Sequence, residues 1–182
     1  VLEGTQTVSG TISNSSNSFF GIGTSSAFGN ILDNETATAN LSVTTHGNES
    51  GPVAIVYTVT LTMSNNSGNP ITFDFNTSDG SATAGSDYTA VSGGSISVAD
   101  GATTGSITVS VLDDSNIEGT EDVKGTISNA LLSVVTIGTS LVFGDISDDD
   151  MPNITFSKSF TNDPVVPGGT VNLEFTITNN SA

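Results

Sequence analysis

The sequence has 182 residues, nineteen of them acidic and two basic, for a formal net charge of -17. Such a deficit of Lys and Arg argues against nucleic acid and anionic membrane surfaces as partners, since both are bound through basic residues, and the lack of any Cys excludes disulfide staples. A hydrophobic share of 35% fits one or two folded domains rather than a disordered chain.

Residues 1–35 make sense only beside a later stretch. Glu-Gly-Thr at Glu3 recurs at Glu118, Gly-Thr-Ile-Ser-Asn at Gly10 recurs at Gly125, Ile-Gly-Thr-Ser at Ile22 recurs at Ile137, and FGNILDNE at Phe28 recurs as FGDISDDD at Phe143. Every pair is offset by 118 − 3 = 115 residues without a gap, which is the mark of an internal repeat. Residues 1–35 therefore read as the last two strands of a preceding copy, 36–151 as a complete copy, and 152–182 as the first strands of a further module. The sequence shows no signal peptide and starts at Val1 without Met, so the chain reads as a segment of a longer protein whose targeting signal lies elsewhere. No apolar run reaches 18 residues, so no spanning helix is expected.

In the complete copy, a weak first strand is expected over Leu41 to Thr45, with His46 exposed rather than a ligand. Gly51 and Pro52 open a long second strand in which Val53, Ile55, Tyr57, Val59, Leu61 and Met63 alternate with polar residues. Period two marks a half-buried strand. The turn Asn65 to Asn69 leads through Pro70 to a third strand, carried by Ile71, Phe73 and Phe75 and closed by Asp79 and Gly80. Asp87 and Tyr88 read as structural, and Asp100-Gly101 as a turn at the far end. Ile107, Val109 and Val111 mark a later strand, ended by Asp113, Asp114 and Glu118; Val123 and Ile127 mark the next, and Asp148, Asp149 and Asp150 follow the last.

This succession predicts an all-β, antiparallel sandwich, and topology then gathers the charges. In an up-and-down order the first, third, fifth and seventh strands point to one end, so Glu49, Asp79, Asp113, Asp114, Glu118, Asp148, Asp149 and Asp150 collect at one pole. Two like charges about 5 Å apart repel by roughly 3 kcal/mol at an effective dielectric near 20. A cation is the natural counterweight. Ca²⁺ takes about six to eight oxygens in tolerant geometry, whereas zinc favours His and Cys, of which the chain has one and none. The surviving acidic residues of the preceding copy, Glu3, Asp33 and Glu35, form a weaker, partial site.

The strings DGSATAGSDY from Asp79, VLDDSNIEGTED from Val111 and FGDISDDD from Phe143 resemble the Calx-beta domain over about residues 36–151. That resemblance implies an immunoglobulin-like β-sandwich with calcium ligands at the eight positions named above. It also implies a module of the kind found in exchanger regulatory loops, integrin subunits and bacterial surface proteins. From Pro152 onward, Phe156, Lys158 and Phe160, then VVPGG at Val165, then Val171, Leu173, Phe175 and Ile177 resemble the opening strands of immunoglobulin-like repeats of bacterial surface proteins. A two-stranded ribbon is marginal by itself; either the chain is cut within a domain there, or the ribbon pairs with another chain as donor strands do.

Catalysis finds no support in the inventory: no Cys, one His, and no GxSxG, P-loop or HExxH pattern. The sequence thus reads as a calcium-binding, calcium-stiffened structural repeat of a secreted or cell-surface adhesin, sheath or filament protein, with neighbouring repeats, and copies of itself, as partners. A self-assembling filament subunit joined by strand exchange and a ligand-binding adhesion module are the alternatives.

Overall fold

The computed structural model describes residues 2–161 and 166–180, so Val165 of the VVPGG stretch lies outside the described residues. Every regular element among the described residues is a strand, and none of them is a helix long and apolar enough to cross a membrane. The strands are β1 (Gln6–Thr11), β2 (Ser26–Ile31), β3 (Ala37–Thr45), β4 (Gly47–Asn48), β5 (Ile55–Leu61), β6 (Ile71–Asp79), β7 (Gly94–Val98), β8 (Thr104–Val109), β9 (Glu121–Ser128), β10 (Val135–Ile137), β11 (Leu141–Ser147), β12 (Ile154–Phe160) and β13 (Leu173–Asn179).

Strands β3 to β11 make a sandwich of two sheets, ordered β10-β3-β5-β8 and β4-β11-β9-β6-β7. The alternation along the chain becomes the core: Ile55, Tyr57, Val59 and Leu61 from one sheet meet Phe73, Phe75, Ile96, Val98, Val123 and Ile127 from the other, all buried. Two long alternating runs facing each other are enough to define two layers. The first strand is longer than expected, beginning at Ala37 rather than Leu41. Ala37 and Ala39 are buried, and such small side chains leave a faint apolar signal. Val53 is 43% exposed, so the long strand starts two residues late.

Sheet separation is set around Tyr57. Its hydroxyl donates to the Val123 carbonyl at 2.7 Å and its ring tilts against Phe75 at 5.1 Å. Gly125 and Gly144, on β9 and β11, leave the space; a Cβ on Gly144 would lie 2.8 Å from the Tyr57 hydroxyl, and one on Gly125 would run into the ring itself.

Outside the sandwich, β1 pairs with β2 and β12 with β13, both antiparallel. Phe156 stacks on Phe175 at 5.5 Å across the second ribbon, yet both are about 60% exposed. Gly125→Ala is expected to cost about 1–3 kcal/mol, the range for overpacking a tight core, read as a lower urea midpoint at unchanged slope. Gly119→Ala, at a position with open space around it, is expected to stay within about 0.5 kcal/mol of the parent.

Candidate metal centre

The end of the sandwich away from the Asn65 turn is assembled from four strand exits. The first depends on a strand that changes sheets. Between Val43 and Thr45 the pairing of β3 with β5 slips, the extra residue of a bulge that bends the chain, and β4 then pairs in parallel with Ile146 and Ser147 of β11 in the opposite sheet. Gly47 makes the crossing feasible, since a Cβ there would lie 2.7 Å from Val111. Glu49 follows, its N–H donating to the Ser147 carbonyl at 3.0 Å, and its side chain is only 3% exposed.

The exits of β6 and β8 are tied to each other. After Asp79, Gly80 packs so closely on Asp122 that no side chain fits, Ser81 N–H donates to Asp122 Oδ1, and Asp122 N–H donates back to Ser81 Oγ. The loop then closes on itself where Asp87 Oδ2 accepts from Thr83 N–H at 2.6 Å. Leu112 N–H donates to the Asp87 carbonyl at 2.9 Å, which holds Asp113 and Asp114 beside this loop. Asp114 Oδ1 accepts from Asn116 N–H at 2.6 Å. The last exit is fastened by Asp148, whose Oδ2 accepts from Glu118 N–H at 2.8 Å and Oδ1 from Asp150 N–H at 2.9 Å.

Two groups of carboxylates result, each with oxygens within 4.8 Å of one another: Glu49, Asp114 and Asp150, and Asp87, Glu118 and Glu121. Three oxygens of these residues, Glu49 Oε2, Asp150 Oδ2 and Glu121 Oε2, are buried without a hydrogen-bond partner. A buried polar atom left unpaired costs about 1–3 kcal/mol, more for a charged group. Burial, reinforced by Asp148, Asp114, Glu118 and Asp87, pushes the Glu49 carboxyl up to about 7. Burial and a hydrogen bond to Asp87 push Glu121 up to about 7 as well, and burial also raises Glu118 and Asp150. The donor set is all oxygen, which suits a hard divalent cation. Partnerless buried oxygens in both groups fit such an ion.

All eight residues singled out in the sequence lie at this end, on the exits of β3–β4, β6, β8 and β11 or the loop leading into β9. The structure brings Glu49, Asp114, Asp150 and Glu118 into the two groups. Asp148 lies between them as the backbone fastener. Asp79 is turned aside: its Oδ1 accepts from Tyr88 Oη at 2.7 Å and Ala84 N–H at 3.0 Å, and the tyrosine bond holds its carboxyl below the usual range. Asp113 and Asp149 are exposed and join neither group. Asp87 has the structural bond expected of it and, in addition, faces Glu118 and Glu121.

Glu121 was not among the expected ligands. Its signal is faint, because it opens β9 three residues after Glu118 and looks like ordinary strand polarity. Asp100 lies at the other end, accepting from Gly68 N–H. His46 is exposed, 3.2 Å from Asp145 Oδ2. Within residues 1–35, Asp33 Oδ2 accepts from Glu3 N–H at 3.1 Å, and Asp33 Oδ1 from Glu35 N–H at 3.4 Å. Those three acidic residues are together, without a buried partnerless oxygen among them.

Residues 32–144 match the model of the Calx-beta domain. Among solved structures, CBD12 from CALX1.2 is similar with 14% identity and a TM-score of 0.52, covering 78% of this chain and 72% of that one. The calcium binding domain CBD12 of CALX1.1 is similar with 15% identity and a TM-score of 0.53, covering 79% and 72%. These two likenesses concern the fold. No curated protein sequence matches the chain. With well over half of its length matched, the chain belongs to the Calx-beta domain family, and its sandwich is of the immunoglobulin-like kind.

The raised carboxyls set the pH dependence of the metal-free protein. Glu49 goes from an ordinary 4.5 to about 7 on folding, so between those values the folded state holds a proton that the unfolded state has released. Stability is then greatest near the lower value and falls as pH rises to about 7. Urea unfolding in chelator is expected to show lower stability at pH 7.5 than at pH 5, with Glu49→Gln flattening the slope; a rise across that window would contradict the assignment.

Proposed function

We propose that this chain is a calcium-binding structural repeat, with the ions held between Glu49, Asp114 and Asp150 and between Asp87, Glu118 and Glu121. The observation that carries the reading is the three buried oxygens without partners, distributed over both groups. The calcium binding named for CBD12 of CALX1.1 supports it. Asp113 and Asp149 stand beside Asp114 and Asp150 in the chain and are the further carboxylates at this pole that no hydrogen bond named above engages.

Calcium at this pole acts as a clasp on the chain's own loops. The exits of four strands come together there, and their like charges push them apart unless neutralised. Because Asp148 to Asp150 lead straight into Met151 and Pro152, holding them also stiffens the passage into the next module. Such a clasp suits a large secreted or cell-surface protein. Extracellular calcium modules bind with dissociation constants of about 10⁻⁴ to 10⁻³ M, and a resting cytosol would leave them empty. The partners in this reading are adjacent repeats in tandem, with no nucleic acid and no inserted membrane segment.

A filament joined by strand exchange is the second reading. It is favoured by the two ribbons, whose apolar side chains Val8, Ile31, Phe156 and Phe175 are all more than half exposed. Electron microscopy of the purified chain separates the two, since fibres are expected only from exchange.

Calorimetric titration of the chain with calcium is expected to show binding, and calcium at about 100 times the dissociation constant should add ~2.7 kcal/mol per site, seen as a higher melting temperature that chelator reverses. Glu49→Gln and Glu121→Gln should each weaken binding by about tenfold, ~1.4 kcal/mol, while Asp100→Asn, at the other end, should leave it unchanged. Absence of heat on titration would remove the proposal.

A further inference from the structure

The ribbon of β1 and β2 touches the sandwich at its base, at the end opposite the carboxylates, and one side chain carries the contact. Leu2 is fully buried and belongs to the same core cluster as Val59 and Ile71. Its backbone is pinned as well, bridging Asn65 and accepting from Asn66 N–H at 2.8 Å.

The seat is stiff. Asn65 is buried, its N–H donates to the Ala102 carbonyl at 2.8 Å, and its own carbonyl accepts from Gly101 N–H. Its side-chain amide donates to the Asn69 and Val98 carbonyls at 2.9 and 3.0 Å. A buried asparagine satisfied on all sides holds the turn open around the leucine.

The repeat gives Leu2 a counterpart. By the 115-residue offset, 2 + 115 = 117, so Leu2 corresponds to Ile117 and Glu3 to Glu118. Ile117 lies between Asp114 and Glu118 on the loop from β8 to β9, and it is 46% exposed. An isoleucine held out among carboxylates has no role in binding a cation. In residues 1–31 the equivalent side chain is inside the following sandwich.

Room for more of the same loop cluster lies alongside. A hollow of about 260 Å³ opens between Gly4, Pro70, Ile71, Leu131 and Leu132. In the complete repeat the loop bearing Asp87 sits against Glu118, the counterpart of Glu3, so the matching loop of a preceding copy falls beside Gly4.

We propose that these features are the two halves of a head-to-tail joint: the loop from β8 to β9 of each repeat inserts an aliphatic knob, Ile117 in the complete copy, into the base socket around Asn65 of the copy that follows. The partner of the Ile117 surface is the base of another sandwich of this kind. Apolar burial drives the joint, so it holds with or without a cation.

Amide hydrogen exchange in excess chelator tests the socket independently of calcium. In the full chain, Leu2→Asp is expected to speed exchange at Asn66 by about tenfold or more while the amides of β5 stay protected, and Leu2→Ile is expected to match the parent. Leu2→Ser gives the same reading should the aspartate unfold β5. Unchanged exchange at Asn66 in the Asp and Ser variants, or loss with Leu2→Ile equal to theirs, overturns the socket. The knob is tested in a chain lengthened by one repeat, residues 1–150 followed directly by 36–182. There Ile117→Asp in the first repeat should speed exchange at Asn66 of the second and not of the first; no change at the second overturns the joint.

Discussion

Negative oxygens crowded at the rim of an apolar core set the terms for this molecule. Glu49 is almost wholly buried, and its neighbours across the pole are other carboxylates. With two basic residues in the whole chain, no Lys or Arg network is available to balance the pole. The remaining ways of bearing that charge are protonation, outward motion of the loops, or a bound cation. The raised carboxyls of Glu49 and Glu121 are the first of these at work in the metal-free protein.

The rest of the sandwich holds those carboxylates where they are. Core packing around Tyr57 fixes the spacing of the sheets, while pairing of β11 with both β4 and β9 sets Glu49, which arrives from one sheet and docks on the other, in the same sheet as Glu121 at the head of β9. Glycine is required at the points of closest approach. Gly47, Gly125 and Gly144 sit where the first sheet's Ile55 and Tyr57 press on the second, so backbone replaces side chain there and the layers close. Asp148 converts one member of the acidic run into a fastener, spending its two oxygens on backbone N–H groups.

Much of this was legible in the residues. Alternation from Ile55 to Leu61 and from Ile71 to Phe75 carries a strong period of two because the side chains are large, and the acidic runs stand where those strands end. Less visible was whatever depends on small residues or on contacts distant in sequence. Ala37 and Ala39 extend β3 with hardly any hydrophobic contrast, and β10 is three residues long and held by parallel pairing. The passage of the first strand to the other sheet rests on a bulge, which has no sequence mark. Glu121 and Asp87 become neighbours only because Asp122 ties the loop after β6 to the start of β9. Leu2 gave no hint of burial, since its seat lies 63 residues away at Asn65.

The opening strands of the sandwich, β3 and β4, run parallel to its closing strands, β10 and β11, through Ala37 to Ala39 with Val135 to Ile137 and through Gly47 and Asn48 with Ile146 and Ser147. Tension along the chain enters at the base through Ala37 and leaves at the far end through Ser147. It therefore loads these pairings in shear, so that their bonds must give way together instead of peeling one after another. The sandwich is thus braced most firmly along the line from Ala37 to Ser147.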